Sequence, residues 1–254
     1  MADPLFDKQA LALRRTRALN QGPQLFLVER ALADLTERLS LVRRRFGRGL
    51  LVGAPLEEVA EPLTAAAEQL LLAPSIDELA AFPPGSFDLL IALGQLDTAD
   101  ELPALLQAIR HLLAPGALFL GVFPGQESLP ALRSAMLAAD QLDGRGVAPR
   151  VHPRIGAGAF AGLLQSAEFE LPVVDVDRVS LRYRSLDALV ADLRGMGATN
   201  ILVDRPRRPL TRRALAAARQ AFLDAGTEAG TVERIDLIHF AAWTPEGQIT
   251  LRPS

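Results

Sequence analysis

Apolar residues recur along the chain in two rhythms, every three to four positions in some stretches and almost without interruption in others. Within residues 24–46, Leu25, Val28, Leu32, Leu35, Leu39 and Val42 follow the first rhythm, which predicts an amphipathic helix with one face turned to a core. Arg43, Arg44, Arg45 and Arg48 gather at its end, where positive charge suits a helix C-terminus. Gly49-Leu50-Leu51-Val52 then forms a short apolar strand that turns at Gly53-Ala54-Pro55 into the helical Glu57-Glu58-Val59-Ala60. Residues 56–71 continue in helical spacing with Pro62 as a break, and 69–73 make a second short strand. The turn Pro83-Pro84-Gly85-Ser86 leads into Phe87-Asp88-Leu89-Leu90-Ile91-Ala92-Leu93, and Ala114-Pro115-Gly116 leads into Ala117-Leu118-Phe119-Leu120-Gly121-Val122-Phe123. Both apolar runs have the character of strands covered on two faces.

A helix over 100–113 separates those runs, and strands alternating with helices predict a mostly parallel sheet with crossover helices. The last third changes rhythm. Helices are expected over 127–142 and 158–167, with a polar loop at 143–153 between them. Residues 171–183 alternate Val174, Val176 and Val179 with charged neighbours, and 232–243 form another long strand, together an antiparallel hairpin whose strands are separated by a helical cap at 185–225. With no repeat and no low-complexity linker, the chain reads as one domain over 1–254, with a helical segment at 1–47 and the cap within it.

Composition narrows the function classes. Of 254 residues 49% are hydrophobic and 22% charged, enough to build a substantial core. A net charge of −3 argues against a general nucleic-acid binder. The basic run Arg205-Pro206-Arg207-Arg208-Pro209 lacks the interleaved aromatics of a strand-binding platform and reads as a solvated loop or a protein-docking face. No cysteine is present, and His111, His152 and His239 lie far apart, so neither a thiolate nor a histidine-rich metal centre is expected. No apolar run is long enough to span a bilayer and the first residues lack a secretory pattern, which leads to an expected cytoplasmic location.

The order of strand, glycine turn and helix, followed by Ser86-Phe87-Asp88-Leu89-Leu90 and Leu112-Leu113-Ala114-Pro115-Gly116-Ala117-Leu118, resembles the S-adenosylmethionine-dependent methyltransferases of the type-11 group. Phe6-Asp7, the stretch from Gly125 to Arg133, and above all Asp192-Leu193-Arg194-Gly195-Met196-Gly197-Ala198-Thr199-Asn200 add a narrower likeness. They resemble the family of the mitochondrial complex I assembly factor that hydroxylates an arginine of an iron–sulfur subunit. Malonyl-acyl-carrier-protein methyltransferase is a more distant likeness. The resemblance implies a Rossmann-like methyltransferase sheet and a cofactor crevice at the end of the first strand.

At that crevice the sequence departs from the family pattern. The family places an aspartate and then alternating glycines where this chain has Leu51, Val52, Gly53, Ala54, Pro55, Leu56 and Glu57. Only about 35 residues separate Gly53 from Asp88, whereas one strand–helix unit takes roughly 30, so a unit is missing or shortened. Asp77 and Glu78 are the nearest carboxylates for a ribose, but they follow Pro74-Ser75 as the first turn of a capped helix would. Leu96-Asp97-Thr98 stands where relatives carry a histidine–tryptophan pair. Gly53, Asp77 and Glu78 are therefore the cofactor contacts if S-adenosylmethionine binds, and no catalytic or metal-binding residue is assigned. The favoured expectation is a degenerate methyltransferase-like protein that does not bind S-adenosylmethionine in the usual way, has no expected cofactor, and acts by binding or assembling with a protein partner, a respiratory-complex subunit or a competent relative. The alternatives are an active methyltransferase or related hydroxylase with an atypical site, and a regulator binding another small ligand. Asp88 reads as ordering its preceding turn, His152 as a solvated loop histidine, Arg133 as docking the cap, and Gly195-Met196-Gly197 as a helix end.

Overall fold

The computed structural model describes residues 3–144 and 146–246. In chain order the elements are α1 (Lys8–Gln21), α2 (Phe26–Leu41), β1 (Phe46–Val52), α3 (Glu57–Ala60), β2 (Ala67–Ala73), β3 (Phe87–Leu93), α4 (Leu102–Leu112), β4 (Leu113–Pro124), α5 (Pro130–Asp143), α6 (Ala157–Ser166), β5 (Glu170–Tyr183), α7 (Leu186–Gly195), α8 (Arg212–Asp224) and β6 (Thr231–Trp243). The strands run in the order β2-β1-β3-β4-β6-β5, a six-stranded sheet among the described residues. β1 pairs in parallel with β2 and β3, and β3 with β4. Amide–carbonyl bonds from Thr244 to Ala117 and from Gly125 to Asp236 advance in opposite senses along β4 and β6, so the last strands turn antiparallel as the alternating segments foretold.

The chain divides into two compact units. The larger comprises residues 28–123, 155–176 and 238–254. Its core is the continuous apolar surface of β1, β3 and β4, covered by Leu106, Ile109 and Leu112 of α4 and by Phe160 and Leu164 of α6. Phe119, Phe123, Phe160 and Phe240 meet with ring centroids 4.7 to 6.1 Å apart, mostly edge to face, the arrangement ring quadrupoles favour. Across from this cluster, Asp34 of α2 receives Arg38 at 2.5 Å and the buried His239 of β6 at 2.7 Å, and Arg38 continues to Asp175 of β5. The other unit comprises 1–27, 124–154 and 177–237. There α5 packs on α8 and α1 on α7. Ala135 and Ala139 on α5, and Ala214 and Ala218 on α8, are fully buried at four-residue spacing, so each helix offers a flat face for close approach.

Two sequence expectations need correction. The helix drawn over 24–46 stops at Leu41, and its arginines serve the sheet instead of the helix end. Arg44 lies over the Phe46 ring and donates to the Gly116 carbonyl, while Arg48 lies 5.1 Å from the centroid of Phe87. The helix drawn over 56–71 is the single turn of α3 followed by a 3-10 helix at Glu61–Ala66, after which β2 already begins at Ala67. Pro62 at the start of the 3-10 segment has no amide to continue an α-helical ladder. The connection from β2 to β3 holds only the 3-10 helix Ile76–Ala81 in place of a full crossover helix, the shortening implied by the residue count.

Candidate crevice at the end of the first strand

The parallel register ends β1, β2 and β3 level with one another, Val52 lying beside Ala73 on one side and Ala92 on the other. Because the chain leaves β1 for β2 and then returns to its other side as β3, the sheet order reverses at β1. Ligands of open α/β sheets bind outside the strand ends at such a point. Gly53 makes the turn there with φ +89°, its amide donating to the Ala73 carbonyl at 2.9 Å. A side chain at Gly53 would collide with the Leu93 carbonyl and stand 2.6 Å from the Gln95 amide nitrogen. This position needs a residue without Cβ on two counts, conformation and space.

Gln95 is the residue that sequence reasoning overlooked. It follows Gly94 at the end of β3, is 5% exposed and holds the left-handed conformation at φ 70°. Its side chain reaches past Gly53 to the segment after β2, where Oε1 accepts the Ile76 amide at 2.9 Å and Nε2 donates to the Pro74 carbonyl at 2.9 Å. Since β1 lies between β3 and β2, the Gln95 amide forms a crossbar over the carboxyl end of β1. A non-glycine residue in the left-handed region costs of order 1 kcal/mol, and the two buried hydrogen bonds offset it. The signal in the sequence was the Gly94-Gln95 pair directly after an apolar strand.

Leu51, α3 and the turn after β2 flank this end. Leu51 is fully buried in the strand. α3 is only four residues long, lacks a side-chain cap and carries Glu57 and Glu58 in its first turn, so its amides make a poor seat for a carboxylate. Asp77 and Glu78 are exposed in the 3-10 helix after β2, with Ser75 accepting the Asp77 amide at its start. The structure thus brings Gly53 to the crevice and sets both carboxylates on the turn beside it. Asp88 lies at the opposite end of β3, where its carboxylate accepts the Gly47 and Arg48 amides at 2.8 and 2.9 Å. It orders the start of β1, not the turn preceding itself. Leu96 and Thr98 are buried in a short 3-10 turn. No group of three or more candidate metal ligands occurs among the described residues, and none of their helices is long and apolar enough to cross a membrane.

The remaining motif residues converge in the smaller unit. Phe6 forms an antiparallel bridge with Leu202, and Asp7 caps α1 through the Ala10 amide while pairing with Arg205 at 2.7 Å. Those contacts hold the Asp7 carboxyl below its ordinary value. Arg14 donates to the Asn200 carbonyl, and the Asn200 side chain bonds the Pro149 carbonyl at 2.7 Å and the Leu202 amide at 2.9 Å. Gly197, at φ +66°, ends α7 with the Ala198 amide returning to the Leu193 carbonyl and the Gly197 amide to Arg194, a Schellman arrangement. His152 corrects the solvated-loop expectation. It is buried against Phe6 and its Nε2 accepts the Ile201 amide at 2.9 Å. Burial, with the charges of Arg154, Arg14 and Arg133, pushes its pKa down to about 3. Arg133 donates to the His152 carbonyl at 2.9 Å.

Comparison with solved structures decides what this sheet is. A Bacillus halodurans protein classed as a methyltransferase superposes with a TM-score of 0.54, covering 84% of this chain and 98% of that one at 12% identity. The Bacillus subtilis YcgJ protein superposes equally well, covering 85% and 98% at 12% identity. The chain has the Rossmann-like methyltransferase fold. In sequence it is similar to the mitochondrial arginine-hydroxylase NDUFAF5 of Danio rerio, 26% identical over 243 residues that cover 87% of this chain and 75% of that protein. The human protein of the same name is 30% identical over 129 residues, 51% of this chain and 37% of that protein. Malonyl-[acyl-carrier protein] O-methyltransferase of Xylella fastidiosa is 32% identical over 167 residues, 64% of this chain and 54% of that protein. No protein-family model matches the chain.

Proposed function

We propose that this methyltransferase-fold chain does not bind S-adenosylmethionine in the usual way and acts by binding a protein partner. The observation that carries the reading is the Gln95 crossbar, hydrogen-bonded on both sides of the β1 end and packed against the one glycine of the turn. A nucleoside approaching the backbone at Gly53 would have to displace a buried amide and leave the Ile76 amide and the Pro74 carbonyl unpaired, a cost of about 1–3 kcal/mol for each buried group. The acid that would grip a ribose is replaced by exposed carboxylates on a 3-10 turn, and Leu51 stands where the family pattern has an aspartate. These residues do not fit the cofactor, and no step is assigned through it.

The partner reading draws on likeness to NDUFAF5 and on motif residues spent on holding the smaller unit together. A subunit of a respiratory complex or a catalytically competent relative of the same fold is the partner class we propose, with the cytoplasm as its location. Calorimetric titration with S-adenosylmethionine and S-adenosylhomocysteine tests the cofactor half, and co-purification at native abundance tests the partner half. A defined companion protein is expected, and its consistent absence would count against the assembly role. Methyl transfer by an atypical site is the competing reading, favoured by the retained positive φ of Gly53 and by the likeness to malonyl-[acyl-carrier protein] O-methyltransferase.

A further inference from the structure

Asn200 ties Pro149 to Leu202, Asp7 ties Arg205 to the N-terminal segment, and between Asp140, Ala148 and Arg150 on one side and Pro206, Arg207 and Arg208 on the other lies a cavity of about 340 Å³. Asp140, Ala148, Arg150, Pro206, Arg207 and Arg208 line it. That volume falls in the range of small-molecule pockets, roughly 300–1,000 Å³, and is too small for a folded partner. One wall is fixed by Asp140, 4% exposed, which receives Arg150 at 2.6 Å and the Ala148 amide at 2.9 Å. The Asn200 amide clasps the neighbouring Pro149 carbonyl, and Arg205 is locked between Asp7 and the Leu202 carbonyl. The other wall is therefore tethered at its base, and Pro206 stiffens it further.

The charge left over is positive. Asp140 and Arg150 neutralise each other, and the Asp7 carboxylate is engaged by Arg205 at 2.7 Å while Arg207 approaches it only to 4.0 Å. Among the described residues no carboxylate pairs with Arg208. Guanidinium groups present paired donors that match the oxygens of phosphate and carboxylate, and walls fixed beforehand reduce the ordering cost of binding.

We propose that this cavity is a binding pocket for a small anion bearing a phosphate or carboxylate group, with Arg207 and Arg208 as the receiving cations and Arg150, held by Asp140, as the fixed wall. The assignment is independent of the crevice at Gly53 and stands whether or not a nucleoside binds there. The test is calorimetric titration of the full chain with inorganic phosphate, pyrophosphate and citrate at low salt. The variants are the Arg207→Gln, Arg208→Gln double substitution and Arg208→Gln alone. Saturable binding of at least one anion below about 1 mM is expected, weakened at least about tenfold by the double variant. Preference for the two phosphates or for citrate separates phosphate from carboxylate recognition. Among the described residues Arg208 makes no ion pair, so the single variant should melt with the parent and still bind more weakly. Absence of saturable binding by all three anions up to roughly 10 mM would overturn the proposal. So would equal affinity in parent and variants.

Discussion

A glutamine in the left-handed conformation survives only where its surroundings hold it, and Gln95 is held by two buried hydrogen bonds. Replacing it with alanine removes both partners and keeps the unfavourable φ. Gln95→Ala is expected to lower stability by about 1–3 kcal/mol, measured by urea unfolding with an unchanged m-value. No loss would mean that the crossbar is not formed. His152 gives a second residue-scale test, since burial lowers its pKa from 6.5 to about 3. The unfolded chain then binds the extra proton between those values, so stability should fall as pH drops from about 6.5 toward 3 and be complete above that window. His152→Asn, which retains an acceptor for the Ile201 amide, should flatten this slope in pH-dependent melting. An identical slope in both proteins would place the acid sensitivity elsewhere. Neither residue could be read correctly from the chain. The burial of His152 depends on Phe6 and Ile201, which are distant in sequence, and although the Gly94-Gln95 pair marks a turn after the strand, the backbone atoms of Ile76 and Pro74 to which Gln95 bonds are set by the fold.

Elements built by local periodicity were legible. The amphipathic spacing around Leu32 and Leu35, the apolar runs of β3 and β4, and the alternation of β5 all gave the right type of element. What misled was termination. Val42 continues the helical rhythm past the last helical residue Leu41, and Leu63, Leu70 and Leu71 keep a helical spacing through a 3-10 segment and into a strand. The break at Pro62 and the strand over 69–73 are both legible in the chain; what periodicity misses is that the helix ends after one turn and that the strand, pairing with Gly49-Leu50-Leu51, begins already at Ala67. The end of α7 was legible because a Gly at the turn has a local reason. Gly197→Ala would place Cβ 3.2 Å from the Arg15 backbone at a φ of +66° and should cost at least about 1 kcal/mol. Thermal unfolding checks this, and an unchanged melting temperature would show that α1 does not press on the cap.

At the scale of the molecule, fold and site part company. The order β2-β1-β3-β4-β6-β5 and the superposition on methyltransferase-fold structures rest on strands whose core residues are apolar and buried. A sheet of this kind tolerates any chemistry at its carboxyl edge. That edge carries a one-turn α3, a 3-10 connection between β2 and β3, and Gln95 lying across Gly53. The shortened unit was visible in the spacing of Gly53 and Asp88, because residue count limits what a connection can contain. The crossbar was not, because it is made by folding. Titration of S-adenosylmethionine into the parent protein, followed by heat and by thermal shift, bears most directly on the central claim. The expected result is no saturable heat and an unmoved melting temperature. A clear micromolar isotherm, about 8 kcal/mol of binding free energy, with the melting temperature rising in step, would contradict it.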